Sequence, residues 1–153
     1  MNLIAHLRSK YAKHISDKCV ERRCRLNLRQ LSNYVNFMAD SIVVDRKMCD
    51  CLVFTNYKRF CIAVVELKSG DIDASSIRDK LINGGKLAAE MLGKCNVQFS
   101  RKNFFLILLH NKRISTSEYV IITKRGINIG GISFDIIVDR CGASLVDIIE
   151  RFG

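Results

Sequence analysis

The chain has 153 residues, 48% of them apolar and 26% charged, which suits one domain with a hydrophobic core and excludes a disordered polymer. A formal net charge of +10 creates an attractive field for polyanions, of which nucleic acid is the commonest and an anionic membrane surface the second. No apolar stretch approaches bilayer length and residues 1–8 lack the core of a secretory signal, so a cytoplasmic protein with no membrane partner is expected.

Leu3, Ile4, Leu7, Tyr11 and Ile15 recur at near-helical spacing between Arg8, Lys10 and Lys13, which predicts an amphipathic helix over residues 3–16. A second helical stretch is expected to about Leu31, making residues 1–32 a helical N-terminal part. There Arg22, Arg23, Arg25 and Arg29 alternate with Cys24, Leu26 and Leu28. They offer a basic face to a phosphate backbone, with a solvated helix face as the alternative. Residues 34–38 and 41–46 read as a strand with a bend. Residues 49–54 form a further apolar run, the polar 55–59 a turn, and 61–67 a nearly continuous apolar and β-branched strand.

This hairpin carries charge where an apolar strand should have none. With the turn centred near residue 57 or 58, Asp50 and Glu66 fall level on adjacent strands. Side-chain alternation places Glu66 and Lys68 on one face, while Val65 and Leu67 point to the other. A buried carboxylate is costly unless a metal, a counter-charge or water compensates it. Two carboxylates so placed repel unless a divalent cation lies between them, and incomplete hard-oxygen coordination suits Mg²⁺ or Mn²⁺. Such an ion polarises a phosphoryl oxygen and acidifies water, while Lys68 can orient that water.

Asp50 with Glu66-Leu67-Lys68 resembles the active-site signature of the PD-(D/E)xK nuclease superfamily, the restriction-endonuclease-like fold. The resemblance covers residues 20–123. It implies that Asp50, Glu66 and the Leu67 backbone carbonyl bind Mg²⁺ or Mn²⁺, that Lys68 positions the nucleophilic water, and that the substrate is nucleic acid, DNA more than RNA. Some members add a glutamate from the first helix; Glu21 is the sole glutamate ahead of Asp50. The chain departs from the pattern twice. Cys49 stands where the motif's name has proline, and Asp79-Lys80 where many members have glutamine.

After Ser69-Gly70, residues 71–73 cap a long helix over 73–92 with Ile77, Leu81, Ala88 and Met91 on its apolar side. Gly84-Gly85 inside it costs about 1 kcal/mol per glycine relative to alanine, and would kink the helix or let a backbone or a phosphate approach Lys86. Residues 104–109 and 118–123 are expected as strands joined by a basic Lys112-Arg113 loop, residues 132–138 as a last strand, and 143–152 as a closing helix. The order predicts a single-domain α/β fold, a mixed β-sheet flanked by helices, with residues 33–123 as core and 124–153 as closing strand and helix. Arg22, Arg23, Arg25, Arg29, Lys86, Lys112 and Arg113 are the candidate nucleic-acid contacts.

Seven cysteines, an odd number, several of them in apolar runs, suggest reduced buried thiols. Cys49 and Cys51 are placed as core residues on the face opposite Asp50, and Cys61, Cys95 and Cys141 lack a partner at ligand spacing. Zinc held by Cys19-x4-Cys24 and Cys49-x-Cys51 is the alternative. His6, His14 and His110 are scattered. Three functional readings remain: a metal-dependent nuclease; a silent module of the same fold that binds nucleic acid or a partner protein; and a merely structural Glu66–Lys68 ion pair, which leaves Asp50 unexplained. A chain this small would draw base specificity from a homodimer, a partner protein or the loop 110–118.

Overall fold

A five-stranded mixed sheet organises the computed structural model, which describes residues 2–124 and 126–153. In chain order the elements are α1 (Leu3–Lys10), β1 (Cys19–Glu21), β2 (Cys24–Leu26), β3 (Tyr34–Met38), α2 (Ala39–Ile42), β4 (Cys51–Tyr57), β5 (Arg59–Lys68), α3 (Ala74–Lys94), β6 (Phe104–His110), α4 (Thr116–Thr123), β7 (Ile127–Ile129), β8 (Ile132–Phe134), β9 (Ile136–Arg140) and α5 (Leu145–Phe152). The sheet runs β3-β4-β5-β6-β9, with β3, β4 and β5 antiparallel and β5, β6 and β9 parallel.

Both faces of this sheet are covered, which is why its central strands read as continuous apolar runs. Leu52, Phe54, Ile62, Val64, Leu106 and Leu108 pack against α1 and the Ile77, Leu81, Ala88 and Met91 stripe of α3. The alternate side chains, Val53, Ala63, Val65, Leu67, Ile107 and Leu109, meet the β1–β2 hairpin and α5. The result is one mixed α/β domain.

Five local expectations are corrected. Residues 18–31 are not a second helix. Glu21 pairs with Cys24 across a turn in which Arg22 takes φ 54, and Cys19, Cys24 and Leu26 are buried while Val20 and Arg25 face out. Period two, not 3.6, governs that segment. Residues 41–46 are not strand: Ala39–Ile42 is a short helix and 43–46 are irregular. Residues 118–123 are helical because a capping box fixes the start of α4: Glu118 N donates to Ser115 Oγ at 3.2 Å and Ser115 N to Glu118 Oε1 at 3.1 Å. These caps override the strand preference of Val120-Ile121-Ile122. The last strand is divided into β8 and β9, with Asp135 between them. The first helix is also shorter than expected, giving way to a 3₁₀ turn at Ala12–His14.

Gly84-Gly85 does not interrupt α3. A Cβ at Gly84 would collide with Cys49 Sγ and sit 2.8 Å from Val64 Cγ1, and one at Gly85 would strike Ile129 Cδ1. The pair lets the helix lie close to the sheet.

The thiol expectation is corrected as well. Cys19 is joined to Cys51 and Cys24 to Cys141, leaving Cys49, Cys61 and Cys95 free. Once residues 19–26 form a hairpin, Cys19 and Cys24 share its inner face and reach the sheet together. Cys49 and Cys51 are not on one face: Cys49 packs with the α3 side and Cys51 with the α5 side. No helix among the described residues is long and apolar enough to cross a membrane.

Candidate active site

The turn between β4 and β5 is centred on Lys58, which adopts φ 60, and Cys51 pairs with Val65. Asp50 is therefore level with Glu66, as the hairpin reading required. Asp50 precedes the regular ladder, and it is fixed by three bonds: Asp50 N donates to Val65 O at 3.0 Å, Ala39 N donates to Asp50 O at 3.3 Å, and Leu67 N donates to Asp50 Oδ2 at 2.8 Å. The carboxylate thus caps a backbone amide at the end of β5.

Glu66 lies on the α3 face and is 1% exposed. Its Oε2 faces two ammonium groups, Lys80 Nζ at 3.3 Å and Lys68 Nζ at 4.0 Å. Its Oε1 is buried and has no hydrogen-bond partner. Burial first, then the neighbouring Asp50 charge, push the Glu66 carboxyl up to about 8, against the pull of Lys80. Burial also raises Asp50, opposed by the Leu67 amide and by Glu66. The two acids behave as a pair that retains a proton. Lys80 is partly desolvated, which lowers it, but the Glu66 charge outweighs this and its ammonium form is favoured.

A cavity of about 350 Å³ opens over this pair, walled by Glu21, Arg22, Asp50, Glu66, Lys68 and Lys80 and closed by the turn at residues 69–71. Glu21 reaches it, from the end of a hairpin strand rather than from a helix. Leu67 lines the same wall. Lys112 bonds Asp71 Oδ1 at 2.9 Å beside the cavity rim. Arg23 and Arg113 are exposed, Lys86 is exposed on α3 away from the cavity, and Arg25 and Arg29 line a different cleft.

Lys80 is the residue that sequence reasoning did not assign to the site. Its signal was helical phase: three after Ile77 and four before Gly84, it shares the stripe that α3 turns to the sheet.

A hard divalent cation fits this donor set. Asp50 and Glu66 offer carboxylate oxygens, one of them orphaned, on a wall that Leu67 shares. Among the described residues no group of three or more His, Cys, Asp or Glu side chains is placed to hold a metal ion. Comparison of the chain with protein-family models, curated proteins and solved structures finds no match.

Proposed function

We propose that the chain is a Mg²⁺- or Mn²⁺-dependent nuclease that hydrolyses phosphodiester bonds of nucleic acid, DNA in preference to RNA, on a restriction-endonuclease-like core. The observation that carries this reading is Glu66 Oε1, a buried carboxyl oxygen without a donor, set beside a second acid in a cavity that Arg22, Lys68 and Lys80 also line. A purely structural ion pair gives that oxygen no role.

Asp50 and Glu66, with the Leu67 carbonyl, would hold the cation, which supplies Lewis acidity toward a phosphoryl oxygen. Lys68, partly exposed to the cavity, hydrogen-bonds the attacking water and turns its lone pair toward phosphorus. Lys80 offsets the negative charge that grows on the phosphoryl oxygens. Arg22 at the mouth engages an adjoining phosphate, and Glu21 faces the cavity as a further acceptor for a metal-bound water. The +10 charge concentrates the polyanion. Sequence specificity would fall to a homodimer or a partner protein.

One observation favours a second reading. Glu66 Oε2 already has two internal cations, so a domain that binds nucleic acid without cutting could keep the same cluster. Cleavage of plasmid, linear duplex, single-stranded DNA and RNA with Mg²⁺, Mn²⁺ or EDTA separates them, run beside Glu66→Ala and Lys68→Ala. Metal-dependent cutting lost in both variants is the expected result. Binding of these nucleic acids by a wild type that cuts none of them would overturn the nuclease in favour of the binding module.

A further inference from the structure

The β1–β2 hairpin carries Glu21 and Arg22 to the catalytic cavity at its tip, and a second cleft of about 470 Å³ lies at its base. Leu26, Leu28 and Leu31 back this cleft, Leu26 and Leu31 nearly buried, Tyr34 lines it alongside, and the exposed Asp17 is the one carboxylate in its lining. Lys18, Arg25 and Arg29 stand at its rim, all exposed. None of the three makes an ion pair among the described residues, whereas Lys58, Lys112 and Arg151 elsewhere on the surface are each bound to a carboxylate. The Tyr34 hydroxyl reaches toward the Asp17 carbonyl at 3.5 Å, and Arg8 donates to the Tyr34 backbone carbonyl.

Three cations against one carboxylate, with an aromatic ring alongside, ask for a ligand that is anionic at one end and flat at the other. A phosphate alone would leave the ring unused, and an aliphatic chain would leave it without a stacking partner. A nucleotide satisfies both ends: its phosphates meet the arginines and its base stacks on tyrosine. A base can enter such a cleft only when it is outside a duplex stack. We propose that this second cleft is a subsite for an unpaired nucleotide, and that the substrate of the catalytic cavity carries single-stranded nucleic acid beside the scissile phosphate.

The inference rests on the nuclease reading for what happens in the first cavity, but the subsite itself does not need cleavage. Lys18 is three residues from Glu21, roughly 10 Å at the rise of a strand, so one short stretch of nucleic acid reaches both. Arg22, Arg23 and Arg25 mark the route between them.

The test uses the full chain in EDTA, where nothing can be cut, with oligonucleotides containing 2-aminopurine as single-stranded DNA, single-stranded RNA or duplex. Wild type is expected to quench the single-stranded probes by stacking and to bind them more tightly than duplex; the DNA and RNA arms tell which sugar it prefers. Tyr34→Leu should lose the quenching and bind about 10-fold more weakly or worse, the scale of one base stacked on an aromatic ring. The exposed double variant Arg25→Ser/Arg29→Ser, which removes no core contact, should lower the salt dependence by about 1.4 in the log–log slope for two phosphate contacts. Binding and quenching unchanged in both variants would overturn the subsite, as would equal affinity for duplex. Arg25- and Arg29-dependent binding of anionic phospholipid vesicles without quenching would reassign the cleft to lipid headgroups. Stacking at Tyr34 in a protein that cuts nothing with Mg²⁺ would support the subsite while sinking the nuclease. Metal-dependent cutting that Tyr34→Leu and the double variant leave untouched, with unaltered binding, would do the reverse.

Discussion

Replacing Glu66 by glutamine should make the metal-free protein more stable than wild type in alkaline solution. Glu66 is raised from the ordinary value of 4.5 to about 8, so the folded chain keeps a proton that the unfolded chain releases near pH 4.5. A raised folded value gives stability that is complete below the unfolded value and is lost as pH climbs through the folded one. Between pH 4.5 and 8 that loss is on the order of 5 kcal/mol at 1.36 kcal/mol per pH unit. Glutamine does not titrate, so this slope disappears in Glu66→Gln. Urea unfolding followed by circular dichroism in EDTA from pH 5 to 9 reads the effect directly. From pH 5 to 8 the loss is about 4 kcal/mol, so with a denaturant slope of about 1–3 kcal/mol/M the wild-type midpoint should fall by about 1.4–4 M, while that of the variant stays nearly level. If Asp50 and Glu66 hold the proposed cation, millimolar Mg²⁺ should restore the wild type at pH 8.5 and leave the variant unmoved, because the cation would take over the charge compensation that the proton supplies. A wild-type midpoint that is flat from pH 5 to 9 would refute the buried acid pair, and an equal slope in Glu66→Gln would place the titration elsewhere.

Gly84→Ala should lower the unfolding free energy by about 1–2 kcal/mol, since overpacking against Cys49 and Val64 outweighs the gain of about 1 kcal/mol in helix propensity. Gly93→Ala, where nothing lies within 4 Å of the added Cβ, should be neutral or stabilising; equal effects at the two positions would refute the close helix–sheet contact. Reduction of Cys24–Cys141, which spans 117 residues, should remove about 4–5 kcal/mol on the chain-entropy account, lowering the melting temperature by about 10 °C. Cys24→Ser/Cys141→Ser should reproduce it, and melting curves indifferent to a thiol reductant would show that the bond does not form in solution.

The core of the site was legible in the sequence because a hairpin converts sequence distance into register. A turn near Lys58 is enough to set Asp50 level with Glu66, and strand alternation is enough to pair Glu66 with Lys68. The failures share a different cause. In residues 18–31 two elements only three residues long are hidden in a segment whose leucines and arginines also fit a helix, and the deciding feature is the positive φ at Arg22, a conformation arginine seldom signals. In α4, three β-branched residues argue for strand, and a side-chain cap outside them decides for helix. The disulfides were lost with the hairpin: as a helix, Cys19 and Cys24 face apart, and only strand pairing brings them to one surface.

Lys80 shows how charge can be read in a core. Along α3 the stripe that faces the sheet consists of Ile77, Leu81, Gly84, Ala88 and Met91, and a lysine that falls on it must either bury its ammonium or find a carboxylate. The sheet offers one carboxylate on that face, Glu66, which likewise interrupts an apolar strand. Two violations of apolar patterning in distant segments, each with the sign the other lacks, imply contact before any coordinates are known. Their contact does not exhaust the site, because the pair leaves one oxygen of Glu66 unmet and sets it beside Asp50. A lysine that existed only to neutralise Glu66 would need no Asp50. The second acid makes the cluster overfull in negative charge at its floor, where two lysines meet it, and that excess is what the proposed cation would offset.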